Sequence, residues 1–180
     1  MKYLYSIVAL LLMTPILYGQ ADPAIKSTDD TCRAIRKNLS AFRVKTVDIP
    51  DESTDGGEMK GYYDGTVLKY IEATWFGESG KRVTEYYFDK GRLIYVSDRN
   101  FEYNVPYYTD AETAKENGTT ETFDPEKTIV TEDRYYFKNE KLFLWLDNNK
   151  ASVDLSMGTN SITGQGLVAH THKLIDKLGK

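Results

Sequence analysis

The feature that most constrains the fold is a series of β-branched and aromatic runs between residues 59 and 147, broken by turn segments at regular intervals. Asp64 and Gly65 form the strongest two-residue hairpin signal, and the next breaks fall at 77–80, 89–91 and 138–140. With the alternating segment 43–49, this pattern predicts an antiparallel meander of about seven strands over about 43–147.

The meander is apolar on both faces. In a regular strand, Leu142, Leu144 and Leu146 would share one face, and Phe143 and Trp145 would share the other. A sheet of this kind must be covered on both sides or fold over on itself. We therefore expect a curved sheet, a half-barrel that holds a helix.

Helical periodicity is found on either side of the meander. A capping pattern predicts a helix that begins near Ser27, and an amphipathic segment predicts a closing helix over 167–177. A short capped helix is predicted over 109–118, within a long connection. The predicted fold class is α+β. The apolar stripe of the first helix consists of Cys32, Ile35, Leu39 and Phe42.

The first twenty residues resemble a secretory signal peptide, because Lys2 precedes a short apolar run with small residues near position 20. A membrane anchor is the rival interpretation, but the run contains Pro15 and no basic cluster follows it. We expect a cleaved signal over 1–20, a single domain over 21–180, and a periplasmic or secreted protein with no stable membrane anchor after cleavage.

The amino-acid composition argues against several functional classes. The chain has 23 basic and 27 acidic residues and a formal charge of −4, so nucleic acid is not expected as a partner. One cysteine and two histidines leave little for metal, cofactor or acid–base chemistry. A helix would turn His170 and His172 away from each other, and the calcium-loop-like pattern that begins at Asp51 has Tyr62 where a Glu should complete the site. We predict no metal site, no cofactor and no catalytic residue.

Tyrosine is over-represented, with 14 residues and four adjacent pairs. An adjacent pair on a strand places one ring on each face, which favours packing on both sides of the sheet. The alternative is an aromatic surface for a ligand or partner. The candidate ligand-binding residues are Tyr63, Trp75, Tyr87 and Trp145.

Two segments, 85–98 and 134–147, align without a gap and share the phrases YYFDKGRL and YYFKNEKL. With the leader, these phrases resemble small exported proteins of Gram-negative bacteria over about 58–150. The hairpin phrase is also similar to tandem β-hairpin repeats of the MORN and antitoxin-component kind, although their glycine spacing is not kept. The resemblance implies a β-rich exported module and transfers no catalytic residue.

The leading functional hypothesis is an exported, non-catalytic module that binds a protein, a glycan or a small ligand. A carrier of a small lipophilic molecule is the first alternative, and a pocket lined by all four candidate aromatic residues would favour it. A carboxylate-based hydrolase is the second alternative, and two strand carboxylates facing each other in a cleft would favour it.

Overall fold

The computed structural model describes residues 22–179, so the predicted signal over 1–20 lies outside the described residues. Within that range, no helix has the length and apolar character needed to cross a bilayer. The helices are α1 (Pro23–Lys37), α2 (Ala111–Glu116) and α3 (Asn160–Gly179), and the strands are β1 (Arg43–Asp48), β2 (Gly57–Asp64), β3 (Val67–Gly77), β4 (Gly80–Asp89), β5 (Arg92–Glu102), β6 (Ile129–Lys138) and β7 (Lys141–Leu146).

The seven strands form one antiparallel sheet whose spatial order is the chain order. This confirms the predicted α+β class and the meander. The sheet remains open, with β1 and β7 as its edges. A short return after β7 covers part of that edge, because Ser152 bridges to Leu146 and the Val153 N–H donates to the Trp145 carbonyl at 2.9 Å.

Three of the hairpins share one geometry. Each has a two-residue turn, between Asp64 and Val67, Asp89 and Arg92, and Lys138 and Lys141. Each also has a register shift two or three residues before the turn. Such a shift places an extra residue in the returning strand and turns the following side chains to the other face.

The bulge corrects the face assignment made for β7. Tyr136 lies opposite Leu144, whereas Phe137 lies opposite Leu142, so Phe143 is the extra residue. As a result, Leu142 and Trp145 both pack on the α3 side of the sheet. The prediction that Leu142 and Leu144 share a face was wrong, because strict alternation does not hold through a bulge.

The α3 side of the sheet holds the larger core. Leu174 and Leu178 of α3 are buried against the strands. The strand members of this core span β2 to β6, and burial of such side chains contributes roughly 1.5–3 kcal/mol each to folding. They are Met59, Ile71, Ala73, Tyr86, Phe88, Leu93, Val96, Tyr135 and Phe137.

The α1 side is covered mainly by tyrosine. One tyrosine from each of five adjacent strands lies in a single row across the sheet, with ring centroids 4.9–5.5 Å apart. Cys32 and Ile35 of α1 pack on this row, as the predicted stripe requires. Tyr86 and Tyr87 face opposite sides of the sheet, as the packing interpretation predicts for a pair on a strand, whereas Tyr107 and Tyr108 lie outside the strands and are exposed. The tyrosine row consists of Tyr62, Tyr70, Tyr87, Tyr95 and Tyr136.

Two helix boundaries differ from the predicted ones. α1 begins at Pro23 because the Asp22 carboxylate accepts the Ala24 N–H at 2.8 Å, and proline suits the first helical position. α3 begins at Asn160, seven residues before the predicted start. Its early glycine, Gly164, lies where a Cβ would come within 2.5 Å of Leu142, so tertiary packing explains this low-propensity segment.

Candidate functional site

A cleft of about 600 Å³ opens between α3 and the strands β3 and β4. We call it the α3 cleft. Trp75 and Tyr86 form its strand wall, and Leu167 and His170 line its helix wall. The rings of Trp75 and His170 lie 5.8 Å apart, which makes an aromatic corner. The lining residues are Glu52, Trp75, Arg82, Tyr86, Gly166, Leu167, His170 and Lys173.

Glu52 connects the two walls of the α3 cleft through hydrogen bonds. It lies in a short 3₁₀ turn, Pro50–Glu52, whose preceding residue Ile49 is fully buried and anchors the loop. Its carboxylate accepts the Trp75 indole N–H at 3.1 Å and the Lys177 ammonium at 3.0 Å. The His170 Nε2 lies 3.8 Å away. One carboxylate therefore ties the β1–β2 loop to both walls of the cleft.

The cations of the cleft are not equivalent. Arg82 donates from Nε to the Asp98 carboxylate at 2.7 Å and from Nη2 to its second oxygen. Lys177 is held by Glu52. Among the side chains that the structure describes, Lys173 forms no salt bridge with a carboxylate. Lys173 is therefore the cation of this site that remains available to a ligand.

Burial lowers the pKa of His170, and the charges of Arg82, Lys173 and Lys177 lower it further against the opposing effect of Glu52. His170 is thus a neutral imidazole at neutral pH. Burial alone would raise the pKa of Glu52, but the Lys177 hydrogen bond, His170 and the Trp75 indole outweigh it and lower the pKa. Glu52 is thus a carboxylate.

The four candidate aromatic residues do not line one pocket. Trp75 lines the α3 cleft, whereas Tyr87 is fully buried in the tyrosine row on the opposite face. Trp145 packs on Tyr135 at 5.2 Å, three strands away from Tyr86. Tyr63 lies near the edge, where Arg43 stacks over its ring at 4.5 Å. The arrangement that would favour the lipophilic carrier is not present in the described part of the chain.

A second hollow, of about 450 Å³, lies beside α1. Its charged groups are already paired: Arg36 bonds Glu85, and the Arg134 Nε donates to Glu132 at 3.0 Å. Glu85 also receives Arg99 at 2.7 Å and the Tyr87 hydroxyl at 2.8 Å. Glu85 and Glu132 therefore form ion pairs with arginines, and the Glu85–Arg36 pair joins α1 to β4, so these two carboxylates do not support the hydrolase alternative.

Sequence reasoning missed the four charged residues in and beside the cleft. Glu52 belongs to a segment interpreted as a solvated loop, and Arg82, Lys173 and Lys177 carry no motif. The available signal was the helical phase of 170, 173 and 177, which places them on one helix face. His170 and His172 do diverge as predicted, since His172 faces Glu140 at 3.6 Å. No group of three or more metal-ligating side chains occurs among the described residues.

Comparison of the chain with family models, with curated proteins and with solved structures gives no match.

Proposed function

We propose that this protein is an exported, non-catalytic binding module and that it holds its ligand in the α3 cleft. The observation that carries the proposal is the pre-formed hollow of about 600 Å³, in which an aromatic corner meets one available cation. Concave sites with apolar walls and a few placed polar groups are typical of small-ligand binding.

Rigidity supports binding. The cleft walls are joined through Glu52, which accepts hydrogen bonds from β3 and from α3. A wall fixed before the ligand arrives reduces the ordering that association would otherwise cost. Because both oxygens of Glu52 are already hydrogen-bonded, this carboxylate suits a positioning role better than proton transfer.

The residues that line the α3 cleft favour a small polar ligand over a lipophilic one. The α3 cleft is open and contains charged side chains, whereas the apolar core beneath α3 is filled by side chains. A lipophilic molecule in the cleft would remove water from the charged groups of Lys173 and Arg82 without replacing its hydrogen bonds, which costs free energy. A ligand with both a ring and polar groups matches the lining.

Gly166 offers a direct test of the site. Its Cβ position meets no atom within 4 Å, and it lines the cleft, so Gly166→Phe would place a ring at the mouth without strain. Ligand-observed NMR with a defined mixture of ring-containing acids, sugars and neutral aromatics would measure binding. We expect signals with the wild type and with Gly166→Ala, and their loss with Gly166→Phe. No signal with the wild type, or equal signals with all three, would overturn the proposal.

Export is tested separately by expression of the full chain in a Gram-negative host. We expect a protein shortened by about 20 residues and recovered outside the cytoplasm. Mass spectrometry of the intact product measures the cut. A full-length product retained in the membrane fraction would instead support the anchor.

A further inference from the structure

We infer that the ligand of the α3 cleft is a small organic acid, whose carboxylate binds Lys173 and whose ring packs in the aromatic corner, between Trp75 and Leu167. This inference rests on the proposed function and adds the chemical class of the ligand.

The charges around the cleft select an anion. Arg82 is satisfied by Asp98, and Lys177 is satisfied by Glu52, which leaves the ammonium of Lys173 without a carboxylate among the described residues. A carboxylate forms a charge-assisted hydrogen bond with an ammonium, and such a bond is stronger than one between neutral groups. A ligand amine would instead meet three cations and a carboxylate that is already fully bonded.

The shape of the cleft selects a ring. Trp75 is half-buried, and its indole is fixed by the hydrogen bond to Glu52, so one aromatic wall is held rigid. Leu167 lies on the helix side of the same hollow. A planar aromatic ring or the apolar face of a sugar ring can pack on an indole, and both carry carboxylates in common small acids.

His170 should report the bound anion. This imidazole faces Glu52, Arg82, Lys173 and Lys177; burial lowers its pKa, and the three cations lower it further. A carboxylate placed on Lys173 would offset part of that positive field. Binding should therefore raise the pKa of His170 and take up a fraction of a proton. A neutral ligand in the same cleft would add burial without adding negative charge, so it would not raise this pKa.

The experiment compares matched acids and neutral analogues: benzoate with benzyl alcohol, and glucuronate with glucose. Isothermal titration measures affinity, and NMR of the His170 ring measures its pKa with and without each probe. We expect at least one acid to bind roughly tenfold more tightly than its neutral analogue. The same acid should raise the His170 pKa and should bind more weakly as salt increases. The aromatic and sugar arms identify which ring the corner accepts.

Lys173→Gln is the decisive variant, because the position is exposed and the change leaves the core intact. We expect Lys173→Gln to remove the difference in affinity between the acid and its neutral analogue. Lys37→Gln, at an exposed position of α1, should leave that difference unchanged. Neutral analogues that bind as tightly as their acids, at a site blocked by Gly166→Phe, would overturn the inference and leave the proposed function standing. No binding by any probe would overturn both.

Discussion

The two faces of the sheet are built in different ways. The α3 face buries a continuous apolar core, whereas the α1 face presents a row of tyrosines beneath paired charges. The α3 cleft lies at the edge of the α3 face, between α3 and the strands β3 and β4. Because its apolar core is larger, we expect the α3 face to supply most of the stability, and the proposed binding site lies at its edge.

The largest expected effect is the removal of a core side chain on the α3 face. Leu174 is fully buried, so Leu174→Ala should reduce the free energy of unfolding by about 3–5 kcal/mol. Ile35→Ala on the α1 face should cost about 2–3 kcal/mol, because Ile35 borders a separate hollow of about 430 Å³ into which its neighbours can relax. Chemical denaturation measures both. Equal losses would remove the proposed difference between the faces.

The second effect concerns the thiol under α1. Burial raises the pKa of Cys32 to about 12, with the Asp29 charge adding to the shift. Native protein should therefore react with a thiol reagent roughly a hundredfold more slowly than denatured protein. Absorbance of the released reagent measures the rate. Fast labelling without denaturant would show that α1 does not cover the tyrosine row.

The third effect tests the charges that hold α1. The Glu85 side chain is 4% exposed and bridges Arg36 and Arg99. Glu85→Gln should reduce stability by about 2–3 kcal/mol, because two arginines lose their shared carboxylate. The matched control is Glu72→Gln, the cross-strand neighbour, which accepts only the Tyr70 hydroxyl at 3.3 Å and should cost less than about 1 kcal/mol. A smaller loss for Glu85→Gln than for the control would contradict the comparison.

Two glycines of α3 should respond with opposite sign. A Cβ at Gly164 would lie 2.5 Å from the Leu142 Cβ, so Gly164→Ala should cost about 1–2 kcal/mol. Gly166 has open space, so Gly166→Ala should stabilise the protein by about 0.5–1 kcal/mol through helix propensity. Thermal unfolding of the two variants measures the pair. Two changes of the same sign would contradict the close contact between α3 and β7.

The smallest effect is a pH dependence on the α3 face. Because the pKa of His170 is lowered in the folded protein, the unfolded chain binds more protons just below pH 6.5. Stability should therefore decline as the pH falls through this window, and the decline should be shallower in His170→Gln. Melting temperatures between about pH 7 and pH 5 measure the difference, above the range in which most carboxylates titrate. Identical slopes of melting temperature against pH in the two proteins would show that His170 does not contribute to this pH dependence.

The sequence predicted the strands because turn residues such as Asp64-Gly65 act locally, and it predicted α1 from the spacing of Cys32 and Ile35. It could not predict the bulge at Phe143, which depends on how the opposing strand pairs. The early start of α3 likewise depends on Gly164 meeting Leu142. Trp75 was a predicted ligand residue, but its partner Glu52 comes from a loop whose position is fixed only by tertiary contacts.

The most direct test of the binding site uses the two tryptophans as paired reporters. The indole N–H of Trp75 bonds Glu52 in the α3 cleft, whereas Trp145 packs on Tyr135 outside the cleft. In a ¹H–¹⁵N spectrum titrated with the ring-containing acids, the Trp75 indole signal should move and saturate while the Trp145 signal remains in place. A stationary Trp75 signal, or movement of both signals together, would contradict binding in the α3 cleft.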